Sequence, residues 1–196
     1  TSPPVFPRFG QPALDRGAAN PHIRAMPIAP FVPLRVMSSY SMLEGAIDPK
    51  QIARLAKERG FPAIAICDRN GLYGTSAFAS ACKGEAVQPI IGALLGVARD
   101  DGTVDHLPLL VQDEAGWLNL SQLVSAAHLD RPLELEPHVP LSALEGRSDG
   151  LIALTGAGEG ALARLLADGK ADAARALAER LAALFPGRLY IELARR

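Results

Sequence analysis

The stretch PAIAIC, residues 62–67, decides the fold class. A continuous run without a charged side chain predicts a strand that is covered on both faces, as in parallel sheets flanked by helices. The preceding segment, residues 49–60, predicts a helix, because Asp48 supplies an N-cap, Pro49 suits the first helical position and Gly60 ends the pattern. A helix that leads directly into a buried strand indicates an α/β protein.

The alternation continues on both sides of this stretch. FVPLRVM, residues 31–37, predicts a strand before the helix, and a helix of small residues is predicted around 74–84. PIIGALLGVAR and HLPLLVQ flank residues 100–102, Asp-Asp-Gly, which is a hairpin signal. The further predicted elements are a helix over 114–129, a strand over 151–156, helices near 159–168 and 171–185, and a strand over 189–193. This order predicts an α/β barrel or an open sheet, in which active sites lie at the C-terminal ends of the strands.

Composition narrows the classes of function. The 196 residues are 48% hydrophobic and only 5% aromatic, with a net charge of -1, so strong direct DNA binding by this chain is not expected. Cys67 and Cys82 fall in a predicted strand and helix, which favours reduced thiols over a disulfide. No apolar run reaches the roughly 18 residues of a membrane helix. We therefore expect a soluble, cytoplasmic protein with no membrane partner.

The chain divides into an arm and a domain. Residues 1–30 are rich in Pro, Gly and Ala and show no sustained periodicity. We interpret them as an irregular arm, or as upstream or added sequence that is not part of the natural protein. In the second case, Met26 would make a natural translation start. Residues 31–196 are long enough for one domain with its own core. The site, if there is one, is therefore expected within 31–196.

The predicted strand ends carry few side chains suited to catalysis. The positions at these ends are Arg35, Met37, Ser38, Ser39, Glu44, Asp68, Arg69, Ala93, Leu94, His106, Thr155, Gly156 and Ala157. FVPLRVMSSYSMLEG in particular follows a predicted strand into a loop, where many barrel enzymes keep metal-binding histidines, yet it contains none. The site therefore has the outline of a metal centre without its usual ligands.

Six stretches identify a family resemblance. In chain order they are FVPLRVMSSYSMLEGA, GFPAIAICDRNGLYG, VQPIIGALLGV, GWLNLSQLVSAA, DGLIALTGAGEG and ALFPGRLYIEL. Together they resemble the N-terminal polymerase-and-histidinol-phosphatase (PHP) domain of bacterial replicative DNA polymerase III alpha subunits, and the last two favour the replicative type over its error-prone relative. The resemblance implies a distorted TIM-like (β/α)7 barrel, here incomplete at its C-terminal end.

The resemblance also implies where a metal cluster would bind. The ligand positions of metal-binding members fall on Arg35, Met37, Glu44, Asp68, Arg69, Leu94, His106 and Ala157. Arginine only donates hydrogen bonds and does not ligate, leucine and alanine have no donor atom, and a thioether suits soft metals. Two carboxylates and one imidazole are too few for a cluster with a metal-activated water. We therefore predict vestigial positions, with no catalytic or metal-binding residue in this chain.

The replacements suggest how the vestigial site is filled. Of the ligand positions that the resemblance implies, two remain acidic and two carry arginine. We therefore hypothesise that Arg35 and Arg69 occupy the former metal volume and pair with Glu44 and Asp68. His106 is either a residual ligand or, as we favour, a structural hydrogen-bonding residue.

Other motifs have simpler interpretations. Ser38 and Ser39 are interpreted as loop-capping hydroxyls rather than nucleophiles, because no base is suitably placed. Residues 156–160, GAGEG, are interpreted as a barrel turn rather than a phosphate loop, because the G-x-G-x-x-G spacing is incomplete. The helix over 171–185 is predicted to pack into the core.

The resemblance implies a structural role. The parent enzyme would extend DNA with Mg²⁺ in a palm domain absent from this chain, which itself would need no cofactor. This domain would support the remainder of the alpha subunit and dock the proofreading exonuclease subunit. The alternative is a metal-dependent PHP phosphoesterase or 3′–5′ exonuclease that uses a reduced site of Glu44, Asp68 and His106. A third possibility is a truncated barrel with an exposed apolar seam.

Overall fold

Helices and strands alternate along the chain in a computed structural model that describes residues 31–131 and 134–193. The predictions for residues 1–30, including the arm and Met26, lie outside the described residues. The helices are α1 (Pro49–Glu58), α2 (Thr75–Glu85), α3 (Glu114–Leu129), α4 (Ala161–Ala167) and α5 (Ala171–Leu184). The strands are β1 (Ala63–Arg69), β2 (Gln88–Ala98), β3 (Val104–Val111), β4 (Val139–Pro140), β5 (Leu151–Leu154) and β6 (Leu189–Tyr190).

The strands form one open, mixed sheet. Its order is β1-β2-β3-β5-β6, and β4 pairs with β2 at Val97 and Ala98, beyond the residues that pair with β1. Strand β3 is antiparallel to both of its neighbours, while β1/β2, β2/β4 and β5/β6 are parallel. The predicted α/β class and the predicted hairpin at 100–102 are confirmed, and of the two expected architectures the described residues form the open sheet.

The prediction of a strand over residues 31–37 is wrong. This extended segment accepts hydrogen bonds from β1, from Ala65 N to Pro33 O at 2.8 Å and from Cys67 N to Val36 O at 2.8 Å. The two donors are two residues apart in β1, whereas the two acceptors are three residues apart in the segment. These hydrogen bonds therefore lack the regular spacing of paired β-strands. Pro33 also lacks an N–H with which to return a hydrogen bond.

Two short strands also differ from the sequence prediction. The final strand ends at Tyr190 rather than at residue 193. Strand β4 was not predicted, because its two residues, Val139 and Pro140, are too few to produce an alternating pattern. Both strands lie at margins of the sheet, where tertiary pairing rather than local sequence defines them.

Helix α1 shows why the local sequence signals work. The Asp48 carboxylate accepts a hydrogen bond from Lys50 N at 2.9 Å, and Gly60 has a φ of 69°, which favours glycine just after a helix. The buried face includes Ile52 and Ala56 as predicted, whereas Leu55 is only half-buried. The helix therefore rests on the sheet through small and β-branched side chains.

The helices cover one face of the sheet. One core cluster joins β2 and β3 to α3 and α5, and a second joins β1 to α1 and α2. Leu181 is buried, and Leu177 and Leu184 pack against the first cluster, which confirms the prediction that the 171–185 helix packs into the core. The helices thus cover the strands from this side. The carboxyl ends of the strands and the opposite face of the sheet remain available to form a site.

The opposite face of the sheet is concave and apolar. Alternate side chains such as Ile90, Leu110 and Ile152 line a cleft of about 610 Å³. The segment before β1 and the residues after β6 form its two sides, with Phe31, Ile191 and Leu193 among the exposed apolar side chains there. The two margins of the open sheet thus face each other across this cleft.

Candidate functional site

The register of the sheet places several of the predicted positions at one edge. Arg69, the last residue of β1, is paired with Leu94 of β2, and His106 of β3 is paired with Gly96 two residues further along β2. Arg35 reaches the same edge from the segment beside β1. This edge, formed by the carboxyl ends of the parallel strands, is called here the strand-end site.

Arg69 is the centre of the strand-end site. Its Nε lies 2.8 Å from Glu44 Oε2, and its Nη2 lies 3.3 Å from Glu159 Oε2. Its Nη1 lies 2.5 Å from His106 Nε2. Because a guanidinium only donates hydrogen bonds, His106 Nε2 accepts, so the imidazole is neutral with its proton on Nδ1. Arg69 thus binds two carboxylates and uses the free lone pair of His106.

Arg35 completes the network from the other side. Its Nη2 lies 3.1 Å from the same Glu159 oxygen, and its Nη1 lies 3.2 Å from Glu192 Oε1. The charges therefore alternate in the order Glu44, Arg69, Glu159, Arg35 and Glu192, which we call the ionic ladder. Its members come from five separate segments, so the ladder connects the segment beside β1 to the residues after β6.

The pKa values in the strand-end site follow from these contacts. The hydrogen bond from Arg69 holds the pKa of Glu44 below its ordinary value. Burial alone would lower the pKa of Arg69, but the contacts with Glu44 and Glu159 outweigh it and raise that pKa. Burial, and then the charge of Arg69, lower the pKa of His106. Near neutral pH, His106 is uncharged while Glu44 and Arg69 are ionised.

Asp68 corrects the predicted pairing. Only 2% of this residue is exposed, and its carboxylate accepts hydrogen bonds from Ser38 N at 2.6 Å, Ser38 Oγ at 2.7 Å and Ser41 Oγ at 2.8 Å. The hypothesis that Arg35 and Arg69 pair with Glu44 and Asp68 is thus correct for Arg69 with Glu44 and wrong for Asp68. The turn that begins at Ser38 already supplies donors to both carboxylate oxygens of Asp68.

The remaining predicted positions offer no metal ligand of the family type. Leu94 is fully buried in β2, Met37 is half-buried, and Ala157 begins a three-residue 3-10 turn with a φ of 45°. Within residues 31–131 and 134–193, no group of three or more His, Cys, Asp or Glu side chains is arranged to hold a metal ion. Two guanidinium groups lie among the acids instead. These residues do not fit a di- or trinuclear metal centre.

Two functional residues were missed by the sequence interpretation. Glu159 and Glu192 follow β5 and β6, so each lies where a parallel strand brings its next residues to the strand-end site. An acid close to the end of each of two predicted strands was the available signal. It was hidden because Glu159 was interpreted only as part of a turn and Glu192 as part of a strand.

The simpler interpretations of the loops are consistent with the structure. Ser38 Oγ donates to Asp68 and accepts from Tyr40 N at 3.2 Å, which is a loop-capping role. Residues 156–160 form a tight turn, and a Cβ on Gly160 would lie 1.8 Å from Thr155 O. Helix α4 begins after this turn, at Ala161.

Comparison with known proteins decides the family. Residues 33–196 match the family model of the PHP domain. The chain belongs to the PHP domain family. It is 44% identical over 173 residues to a DNA polymerase III subunit alpha of Caulobacter vibrioides, covering 84% of this chain and 15% of that protein. It is 38% identical over 178 residues to an error-prone DNA polymerase of Symbiobacterium thermophilum, covering 83% and 16%.

Further relatives agree with this assignment. A DNA polymerase III subunit alpha of Neisseria meningitidis serogroup A is 34% identical over 169 residues, covering 84% of this chain and 15% of the relative. The PHP domain described here is thus homologous to the N-terminal region of DNA polymerase III alpha subunits. The chain spans only about 15% of the length of these relatives.

Two solved structures are also similar to the chain. A metal-dependent phosphoesterase, described as putative, from Bifidobacterium adolescentis has a TM-score of 0.42 and 20% identity, covering 53% of this chain and 36% of its own. An amidohydrolase from Chromobacterium violaceum has a TM-score of 0.42 and 21% identity, covering 50% and 33%. Among the described helices, none combines the length and apolar character needed to cross a membrane.

Proposed function

We propose that this PHP domain acts in DNA replication as a structural scaffold of a DNA polymerase III alpha subunit and as a docking surface for the proofreading exonuclease subunit. It does not hydrolyse phosphoesters itself. The ionic ladder is the observation that carries this proposal, because its arginines pair with acids at positions that the family resemblance assigns to metal ligands. The proposal assigns no cofactor to this chain, since the Mg²⁺ of polymerisation belongs to a palm domain elsewhere, and it places the protein in the cytoplasm.

The ladder opposes metal binding in two ways. Arg35 and Arg69 bring fixed positive charges among the carboxylates that a cation would need. The lone pair of His106 Nε2, which a metal would require, instead accepts a hydrogen bond from Arg69. A cation would therefore have to displace a guanidinium from Glu44, Glu159 and His106 together.

The same contacts support a scaffolding role. The ladder joins the segment beside β1 to the residues that follow β5 and β6, across the concave face of an open sheet. Partly buried pairs between segments far apart in sequence restrict the relative motion of those segments. The domain thus offers a fixed surface to larger partners, which are the remainder of the alpha subunit and the exonuclease.

Metal analysis combined with phosphatase and 3′–5′ exonuclease assays tests this function. After incubation with Mn²⁺ or Zn²⁺ and desalting, we expect substoichiometric metal and no turnover above a protein-free control. The matched variant is Asp68→Asn, which removes the charge of the buried acid. Stoichiometric metal in the wild type, together with turnover that is lost in Asp68→Asn, would establish the reduced-site phosphoesterase instead.

A further inference from the structure

The segment of residues 31–37 is attached to the sheet through few contacts. In the described part of the chain, two backbone hydrogen bonds join it to β1, and β1 donates both of them, to Pro33 O and Val36 O. Phe31, which is 70% exposed, contacts the ring of Phe61 edge to face, with centroids 5.7 Å apart. Because few contacts must break, separating this segment from β1 costs less free energy than separating two paired strands.

The same segment has a firm anchor at its end. The backbone N and the Oγ of Ser38 both donate hydrogen bonds to the buried carboxylate of Asp68. The next residue, Ser39, donates from its N to Ile47 O at 2.9 Å. Any outward movement of residues 31–37 therefore pivots on Ser38.

The residues after β6 form the opposite margin of the cleft and also have few contacts with the sheet. Among the described residues, Thr155 connects them to β5: its N donates to Tyr190 O at 3.0 Å, and its Oγ1 accepts from Glu192 N at 2.9 Å. Ile191 and Leu193 are exposed, so neither side chain packs against the sheet. Both margins of the cleft thus depend on further side-chain contacts to stay in place.

The ionic ladder supplies a contact between the two margins. Arg35 of the segment lies 3.2 Å from Glu192 of the opposite margin and 3.1 Å from Glu159, which follows β5. Arg35 and Glu192 are the charged side chains among the described residues that line the cleft, so their contact closes the cleft at the strand-end site. Each of the two side chains is 19% exposed, so salt screens the pair in part.

Cys67 lies on the concave face of β1, near this contact. Ile66 packs with α1 and α2, whereas Ala65 packs with Leu110, which lines the cleft. Because side chains alternate along a strand, Cys67 points to the same side as Ala65. It is nevertheless fully buried. The closed margins thus cover a cysteine that faces the cleft side of the sheet.

Burial makes the Cys67 thiol unreactive. It raises the pKa of the thiol to about 12, and the nearby charges of Arg35, Asp68 and Glu192 have smaller effects. Because the thiolate is the nucleophile, this thiol reacts with reagents only when it becomes exposed. Cys82 is a matched comparison: it is also fully buried, burial also raises its pKa to about 12, and it packs in the core between β1 and the helices α1 and α2.

We propose that the contact of Arg35 with Glu192 and Glu159 is a latch: when it breaks, residues 31–37 move outward about Ser38 and expose the inner end of the cleft. In the closed state the cleft ends at the ionic ladder, and in the open state it is continuous with the strand-end site. Every moving part belongs to this chain, so the latch does not depend on the exonuclease or on the proposed function.

Opening at the latch leaves the core in place. Of residues 31–37, all of which the structure describes, Val36 alone packs against a core cluster. Segments with few buried apolar contacts open at a lower free energy than the whole fold requires. Cys67 is therefore exposed by local opening, whereas Cys82 is exposed when the core itself unfolds.

The rates at which iodoacetamide labels Cys67 and Cys82 test the latch. Both rates are measured on the folded chain by mass spectrometry after digestion, over a range of about 0.05 M to 1 M salt. We expect Cys67 of the wild type to react at least about tenfold faster than Cys82, because local opening is more frequent than unfolding. The rate of Cys67 should rise several-fold with salt, while that of Cys82 should not.

Three variants separate the latch from a general loss of stability. Arg35→Met removes the cation of the latch and keeps most of its volume, and Glu192→Gln removes one of its acids. Arg180→Met is the control, because Arg180 also pairs with two acids, Asp100 and Glu145, away from the cleft. The ratio of the Cys67 rate to the Cys82 rate should rise about tenfold in Arg35→Met and about threefold in Glu192→Gln. In the control it should stay within about twofold of the wild type.

Equal labelling of the two cysteines would overturn the latch. If their rates are the same in the wild type at every salt concentration, and stay the same in Arg35→Met and Glu192→Gln, Cys67 is exposed by global unfolding alone. If Arg35→Met does not fold, Glu192→Gln and the salt series decide, and a ratio that rises in neither overturns the proposal. Failure of the latch leaves the proposed function standing, because metal content, turnover and exonuclease binding are separate measurements.

Discussion

Asp68 and Glu159 lie at the same edge of the sheet, and their carboxylates are compensated in different ways. Asp68 is buried and accepts its hydrogen bonds from the backbone and hydroxyl groups of a tight turn. The side chain of Glu159 is 43% exposed, and one of its oxygens is shared by two guanidinium groups. The buried carboxylate of Asp68 is thus stabilised by hydrogen bonds from neutral groups that the turn holds in place. The exposed carboxylate of Glu159 is stabilised by long charged side chains, and desolvation of those charges costs less at the surface.

The comparison predicts that the Asp68 region contributes more to stability than the ionic ladder does. Asp68→Ala leaves the donors of Ser38 and Ser41 buried without their acceptor, and the expected loss is about 3 kcal/mol of the free energy of unfolding. Asp68→Asn, which keeps an acceptor oxygen, should lose less. Urea unfolding measures both variants. A loss below about 1 kcal/mol for Asp68→Ala would show that the turn does not depend on its acid.

Arg69→Met breaks the ladder at its centre while keeping most of the side-chain volume. The expected loss is about 1–2 kcal/mol, between the values for exposed and buried pairs, because the side chain is 20% exposed. The pKa of Glu44 and that of His106 should both rise in this variant, since Arg69 lowers each of them. NMR titration measures the two pKa values, and unchanged values would contradict the contacts described here.

Glu159→Gln tests the exposed side of the comparison. Loss of the shared carboxylate should cost about 0.5 kcal/mol at low ionic strength and still less at 1 M salt, because exposed pairs are screened. The loss caused by Asp68→Ala should be nearly independent of salt. Equal salt dependence of the two losses, measured by urea unfolding, would remove the distinction between a buried and an exposed site.

Acidification should lower the free energy of unfolding in two stages. The pKa of His106 in the fold is below 6.5, so the unfolded chain takes up a proton first, and stability falls as pH drops from 6.5 toward the folded pKa. The folded pKa of Glu44 is below 4.5, so its contribution is present above 4.5 and is lost as pH falls through the folded value.

His106→Gln isolates the first of these stages. The variant should abolish the fall in stability that begins near pH 6.5 and leave the fall below pH 4.5 intact. Unfolding free energies measured between pH 3 and pH 8, roughly the range these two groups span, give the comparison. A wild-type profile that is flat between pH 6.5 and pH 5 would contradict the assignment of a neutral, buried His106.

Local sequence signals predicted the elements that such signals control. Helix α3 has the bounds expected from its periodicity, and the N-cap at Asp48 forms as predicted. The strand over 31–37 failed because hydrogen bonding along a proline-containing segment depends on its neighbour. In the candidate site, the contact of Arg69 with Glu44 was foreseen from the pattern of replacements.

The rest of the site depends on contacts between distant segments. The serine partners of Asp68 require a turn in which Leu43 has a positive φ, and an apolar residue gives no sign of that conformation. Glu159 and Glu192 join the site only because β5 and β6 are parallel neighbours. Sequence thus predicted the contact of Arg69 with Glu44, but not how the other members of the ionic ladder are connected.

The oxygen of Glu159 that two guanidiniums share makes Arg35 and Arg69 depend on one another. Replacing Arg35 alone by histidine would leave Arg69 beside any incoming cation, and the reverse change would leave Arg35 there. Either single substitution removes ion pairs from the ladder while the other arginine still opposes a cation. The resulting variant has neither a complete ladder nor a metal site. A metal centre at this position would therefore require Arg35 and Arg69 to be replaced together, because the shared carboxylate joins the two guanidinium groups.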